Sequence, residues 1–239
     1  MLPVPDATAS LLLGSAASLA AVHTLIGVDH SIPFIVMGRA RGWSLRRTLG
    51  VTGACGLAHV ASSVLIGLVG GGLGVALDRL TWLESARGNV SASLLIGFGL
   101  AYAAWALWRS VLRREHTHRH THADGTTHSH AHGHQGEHMH AHDIGRGATP
   151  WALFLVFAFG PCEALIPLMM VPAVDDAWVL LAAVVAVFAF FTVGSMLAAV
   201  ALGYAGLTHA RLRGFEQRVH VLAGLTVAAS GAAVLFLGI

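Results

Sequence analysis

The sequence contains no lysine. All fourteen basic residues among its 239 are arginine, and only 11% of the chain is charged. Soluble domains carry about 25% charged residues. With 55% hydrophobic residues and a mean hydropathy of +0.69, the composition excludes an ordinary soluble domain and reads as an integral membrane protein. A net charge of +2, scattered along the chain, offers no basic surface for nucleic acid. Cysteine is scarce too. Cys55 and Cys162 both fall in apolar runs, which argues against a disulfide framework. The first ten residues, MLPVPDATAS, lack the basic n-region of a signal peptide. The apolar run behind them leads straight into a His/Asp motif, so it is expected to be a retained helix.

What is abundant is apolar sequence in long runs. A spanning helix needs about 20 mostly apolar residues, and six segments qualify, at about 9–37, 48–76, 89–112, 150–173, 178–206 and 218–238. Gly27 and Pro33 are placed to break the first; Gly160, Pro161 and Pro167 are placed to break the fourth. Twelve of the arginines lie after the first, third and fifth runs, whereas only Arg79 and Arg87 lie on the other side, offset by Asp78 and Glu84. Arginine excess marks cytoplasmic loops. The expected location is therefore the cytoplasmic (inner) membrane, with both termini outside and residues 115–149 in the cytoplasm.

An internal repeat is legible. DHSIP (29–33) and EALIP (163–167) both read acid, three residues, proline, at an offset of 134. One residue out of step, AHVASSVLIG (58–67) lies over FTVGSMLAAVALG (191–203), with Val60 over Val193 and Ser62 over Ser195. The third pair of runs aligns poorly. The expected fold is all-α and polytopic: six transmembrane helices as two inverted three-helix repeats, 1–114 and 150–239. Broken helices are expected in spans one and four, and the His-rich segment 115–149 lies between the repeats. Secondary transporters built this way hold their sites near the midplane on discontinuous helices.

Ionisable groups within the runs cost about 2.5–3.5 kcal/mol each on insertion scales, so they mark a site or a pathway. They are His23, Asp29 and His30 in the first run, His59 in the second, Glu163 in the fourth and His220 at the start of the sixth. On an unbroken helix His23 and His30 would share a face about 10 Å apart, too far for one ion. Unwinding at Gly27, or use of the two in succession along a path, resolves this. Imidazole and carboxylate suit borderline divalent ions such as Ni²⁺, Co²⁺ and Zn²⁺, and Cys162 can add a thiolate if deprotonated. For His59 or His220 alone, an interhelical hydrogen bond competes with ligation. A proton relay is a third use of the same groups.

The segment 115–143, EHTHRHTHADGTTHSHAHGHQGEHMHAHD, holds eleven of the sixteen histidines: His116, His118, His120, His122, His128, His130, His132, His134, His138, His140 and His142. It has no apolar period, so no regular structure is expected. Such tracts bind metal, here as a capture device without a preformed cage. Capture needs neutral imidazole and fades as pH falls below about 6.5.

HTLIGVDH, GLAHVASSVLIG, FGPCEALIPLM, TVGSML and HVLAG resemble the UreH-like membrane proteins, relatives of the nickel/cobalt permeases and of the nickel/cobalt efflux family with His-rich cytoplasmic loops. The resemblance covers nearly the whole chain outside the His-rich segment. It implies six or more helices and divalent transition-metal transport, with His23, Asp29 and His30 as the metal-recognition element. The permease signature is H-x4-D-H, whereas five residues, Thr24 to Val28, separate His23 from Asp29 here. The expected activity is transport of Ni²⁺ or Co²⁺, with Zn²⁺ or Fe²⁺ as further cargoes, and export slightly favoured. No enzymatic chemistry and no permanent cofactor are expected; the metal ion and the bilayer are the partners, and a cytoplasmic metal-handling protein is a candidate one. Two alternatives stand beside this reading. A membrane thiol–disulfide carrier would use a symmetric pair of cysteines, one in each half, yet Cys162 aligns by repeat with Val28 and Cys55 lies in the second run. A metal-handling anchor for urease or another metalloenzyme would explain the His-rich segment but leave Asp29 and Glu163 without a purpose.

Overall fold

A computed structural model describes residues 6–112, 116–121, 127–132, 144–162, 164–209 and 219–238. It is helical apart from one hairpin: α1 (Asp6–Ile26), a 3-10 turn (Val28–His30), α2 (Ile32–Ala40), α3 (Leu45–Gly72), α4 (Leu77–Leu112), β1 (His116–Thr121), β2 (Thr127–His132), α5 (Ile144–Phe159), α6 (Leu165–Val174), α7 (Trp178–His209) and α8 (Val219–Leu237). Five helices, α1, α3, α4, α7 and α8, are long and apolar enough to cross a membrane. Their outward side chains are apolar as well; Val179 is 87% exposed and Phe236 78%. Water would not tolerate that surface on five helices, and lipid would. The chain is a membrane protein.

The first and fourth apolar runs are each interrupted. The first breaks between Ile26 and Ile32, where Pro33 near the start of α2 lacks the N–H that a continuous helix would use. The fourth stops at Phe159 and restarts at Leu165, with Gly160 and Pro161 between. It is therefore two short apolar helices, Thr149–Phe159 and Leu165–Val174, interrupted where Gly160 and Pro161 were placed to break it.

Helix packing follows small residues. Helix α4 lies antiparallel on α8, where Gly99 and Gly224 face each other; a Cβ on Gly224 would sit 2.6 Å from the carbonyl oxygen of Gly99 and from the amide of Ala103. Gly231 meets Ala92 in the same way, at 2.8 Å. Small residues let backbones approach where no hydrophobic force drives helices together in lipid. On the other side, Ala16 and Ala20 of α1 are fully buried in the cluster that holds Val184 and Phe188 of α7. Helix α3 packs on α7 with Gly56 against Val193 and Met196.

One expectation requires correction. Helix α4 starts at Leu77, twelve residues before the expected edge at 89, so Glu84 and Arg87 belong to a helix and not to a connecting loop. Their mutual ion pair lets them enter the helix interface. Of the His-rich segment, residues 116–121 and 127–132 are described, and they pair as the hairpin β1–β2. Its register sets His116 opposite His132, His118 opposite His130 and His120 opposite His128. The alternation of Thr and His has the period-two pattern that a strand accepts. His122, His134, His138, His140 and His142 lie outside the described residues.

Candidate metal centre

Gly27 is where the first helix unwinds. Its amide still bonds back to the His23 carbonyl at 2.9 Å, but the next turn is 3-10, with the His30 amide on the Gly27 carbonyl at 3.1 Å. The tighter turn carries the His30 ring toward His23. Their centroids are 4.9 Å apart, so the roughly 10 Å spacing of an unbroken helix does not apply. Any side chain at position 27 would collide with this arrangement: a Cβ there would touch His30 Nδ1 and stand 3.0 Å from Asp29 Oδ1.

A third ring arrives from α3. His59 stands edge-on to His30, centroids 5.2 Å apart, and Phe157 of α5 flanks both at 6.4 Å. One ring nitrogen from each of His23, His30 and His59 lies within 4.8 Å of the others. His30 and His59 are buried and His23 is half-buried. His23 Nε2, His30 Nε2 and both nitrogens of His59 are buried with no hydrogen-bond partner. An unpartnered buried polar atom costs about 1–3 kcal/mol, so three such rings converging on one point are expensive unless something binds them.

Asp29 is placed one step behind the rings. Its Oδ1 lies 2.8 Å from His30 Nδ1. That bond fixes Nδ1 as the protonated nitrogen in the neutral ring and directs the Nε2 lone pair toward the cluster. Carboxylate–imidazole pairs of this kind orient metal-binding histidines. Asp29, expected as a ligand, is bonded to His30 Nδ1 and stands outside the group of three converging ring nitrogens.

His220 and Cys162, also expected at the site, separate from this cluster. His220 accepts or shares a proton with Tyr102, Nδ1 to hydroxyl 2.8 Å, near Arg41, which stacks on Tyr102 and Trp105 and donates to Thr149. Cys162 is buried and unpaired, as is Cys55, and the two belong to different hydrophobic clusters. Cys162 engages its surroundings through its backbone. Glu163 lies outside the described residues.

Sequence reasoning missed a second polar centre. Glu84 is fully buried and pairs with Arg87. Glu84 Oε2 accepts from the Ser63 hydroxyl at 2.8 Å and from the Cys162 amide at 2.9 Å; that amide also donates to Ser63 Oγ at 3.0 Å. Arg87 Nη2 donates to Ser62 Oγ at 2.8 Å and to the carbonyls of Ala158 and Gly160 at 3.2 and 3.3 Å. The pair caps the interrupted fourth run, supplying partners that the missing helical turn cannot. The signal was an acid and a base three apart with no proline between Leu77 and Arg87.

No family model, curated protein or solved structure matches this chain.

Proposed function

We propose that the protein transports divalent transition-metal ions across the cytoplasmic membrane, with His23, His30 and His59 as the ligand set. The observation that carries this reading is the convergence of three imidazoles, each with a buried ring nitrogen that has no hydrogen-bond partner. Among the described residues no other cluster of three potential ligands occurs. Imidazole nitrogen favours Ni²⁺, Co²⁺ and Zn²⁺ over hard oxygen-seeking ions such as Mg²⁺ or Ca²⁺. With bonds near 2.0–2.1 Å, tetrahedral ligand nitrogens stand about 3.3 Å apart. The rings therefore close by about an ångström or so around a bound ion, and Gly27 and Gly160 leave them free of a Cβ that would block it.

The six-span, inverted-repeat reading is part of this proposal. Three features support it. The two interruptions have the same length and the same offset of 133 at both edges, Ile26 to Phe159 and Ile32 to Leu165. Helices α3 and α7, and likewise α4 and α8, pack antiparallel as repeat partners would. The packing of α1 on α7 has its counterpart in α5 on α3. In this reading α1 with α2 forms one broken span and α5 with α6 the other. The arginine-rich side with the His-rich segment faces the cytoplasm. Metal capture on that side favours export.

The test is metal accumulation in cells expressing the parent or His30→Ala, across Ni²⁺, Co²⁺, Zn²⁺ and Fe²⁺. Export lowers accumulation of at least one ion and the substitution restores it. Equal accumulation with parent and variant for every ion, at equal membrane insertion, contradicts the proposal.

A further inference from the structure

Arg87 touches the proposed site from behind in two places. Its Nη2 holds Ser62 Oγ at 2.8 Å, and that hydroxyl donates to the His59 carbonyl at 2.8 Å. The same nitrogen reaches the carbonyls of Ala158 and Gly160. Gly160 lies directly over the His59 ring: a Cβ there would be 2.9 Å from His59 Nδ1 and 3.1 Å from the Phe157 carbonyl oxygen. One guanidinium therefore fixes the helical turn that carries His59 and the chain that covers its ring. Arginine suits this task because its planar fork offers five donors in fixed directions.

We propose that Arg87 is a positioning residue for His59, acting through the Ser62 hydroxyl and the Gly160 carbonyl. Glu84 completes the device. It neutralises Arg87 and anchors the far side of the same interruption through the Cys162 amide. The inference rests on the metal-centre reading above. It adds that the interruption of the fourth run contributes to metal binding by aiming a ligand carried on α3.

The experiment is a Co²⁺ titration of the purified full chain, following the visible bands of low-coordinate cobalt. Four proteins are compared: parent, His59→Ala, Arg87→Gln and the double variant. The His-rich segment is common to all four, and a metal buffer sets free Co²⁺ so that capture by the segment does not alter the supply to the central site. Removing a residue that orients a ligand typically costs about 10–100-fold in affinity, so Arg87→Gln is expected to weaken binding at least tenfold and give the spectrum of His59→Ala. In the His59→Ala background, the same substitution should cost less than about twofold, because the residue it acts through is already gone. An equal loss in both backgrounds overturns the positioning role and leaves Arg87 as general scaffold. Parent-like affinity and spectrum for Arg87→Gln also overturn it, with the metal centre standing. Absence of any low-coordinate cobalt signal in the parent overturns the metal centre and this inference together. Should Arg87→Gln not insert, Ser62→Ala breaks only the hydroxyl link. It is expected to weaken binding about threefold in the parent background and not in the His59→Ala background, and an unchanged affinity overturns the proposal.

Discussion

The two interruptions of the helical framework have the same length and opposite chemistry. Around Gly160 and Pro161 the loosened backbone is answered by side chains: Arg87 takes two carbonyls, and Glu84 and Ser63 take the Cys162 amide. Around Gly27 the backbone answers itself through a 3-10 turn, and the side chains are left over. His23 and His30 end with buried nitrogens that bond nothing, as does His59 beside them. A break whose described backbone groups are taken up by neighbouring side chains holds structure together. A break that collects unengaged ligands in one place is where an ion can bind. The distinction matters because non-helical backbone in a membrane is tolerated only where it is buried in protein or lines a polar path.

The strongest way to break this comparison is to treat the two centres alike. His30→Ala is expected to remove high-affinity metal binding, a loss of at least about 100-fold, since no water can readily replace a buried ligand; the melting temperature should fall less than with Glu84→Gln, because the Asp29 it strands is 26% exposed. Glu84→Gln should do the reverse. It strands Arg87 in the interface, and losing one partner of a buried pair costs about 3–5 kcal/mol, visible as a lower melting temperature in detergent. If Glu84→Gln leaves thermal stability untouched and His30→Ala lowers it, the roles assigned to the two breaks are reversed.

Smaller changes sharpen the contrast. Asp29→Asn keeps the shape but weakens the hold on His30, and about a tenfold loss of metal affinity is expected from similar orienting carboxylates; titration of parent and variant side by side reads it. His59→Ala should impair transport more than Asp29→Asn, since it removes a ligand outright. Ranking by charge puts Asp29 first, because its carboxylate supplies negative charge, whereas ranking by geometry puts His59 first; transport assays of the pair decide between them. The least effect is expected from deleting residues 116–142, which touches neither break. Transport should persist at saturating metal and fall mainly when metal is scarce. Loss of transport at saturation, with the protein inserted, would put the His-rich segment in the pathway itself.

Much of the first break was legible in HTLIGVDHSIP. The glycine, the proline and the seven-residue histidine spacing together announced a helix that must unwind if both rings serve one ion. Composition likewise announced a membrane protein. What sequence could not supply was partnership across helices. His59 looked equally suited to a hydrogen bond with a neighbouring helix, because nothing local states which ring α3 will meet. Asp29 looked like a ligand because adjacency in sequence does not say which of its contacts it will satisfy first. A hydropathy window ends where charge begins and so leaves Glu84 and Arg87 in a loop, whereas two opposite charges one turn apart neutralise each other and let the helix continue. Cys162 drew attention for its sulfur, yet its contribution is an amide hydrogen bond, which no side-chain motif encodes.

The central claim is that three imidazoles, carried by α1, the 3-10 turn and α3, bind one transition-metal ion. X-ray absorption on the Ni²⁺- or Co²⁺-loaded protein lacking residues 116–142 tests it most directly, because the segment's own histidines are then absent. One equivalent of metal with three imidazole scatterers at nitrogen-bond distance, falling to two in His59→Ala, is the predicted result. A metal shell made only of oxygen ligands, or no retained metal in a folded protein, would contradict it.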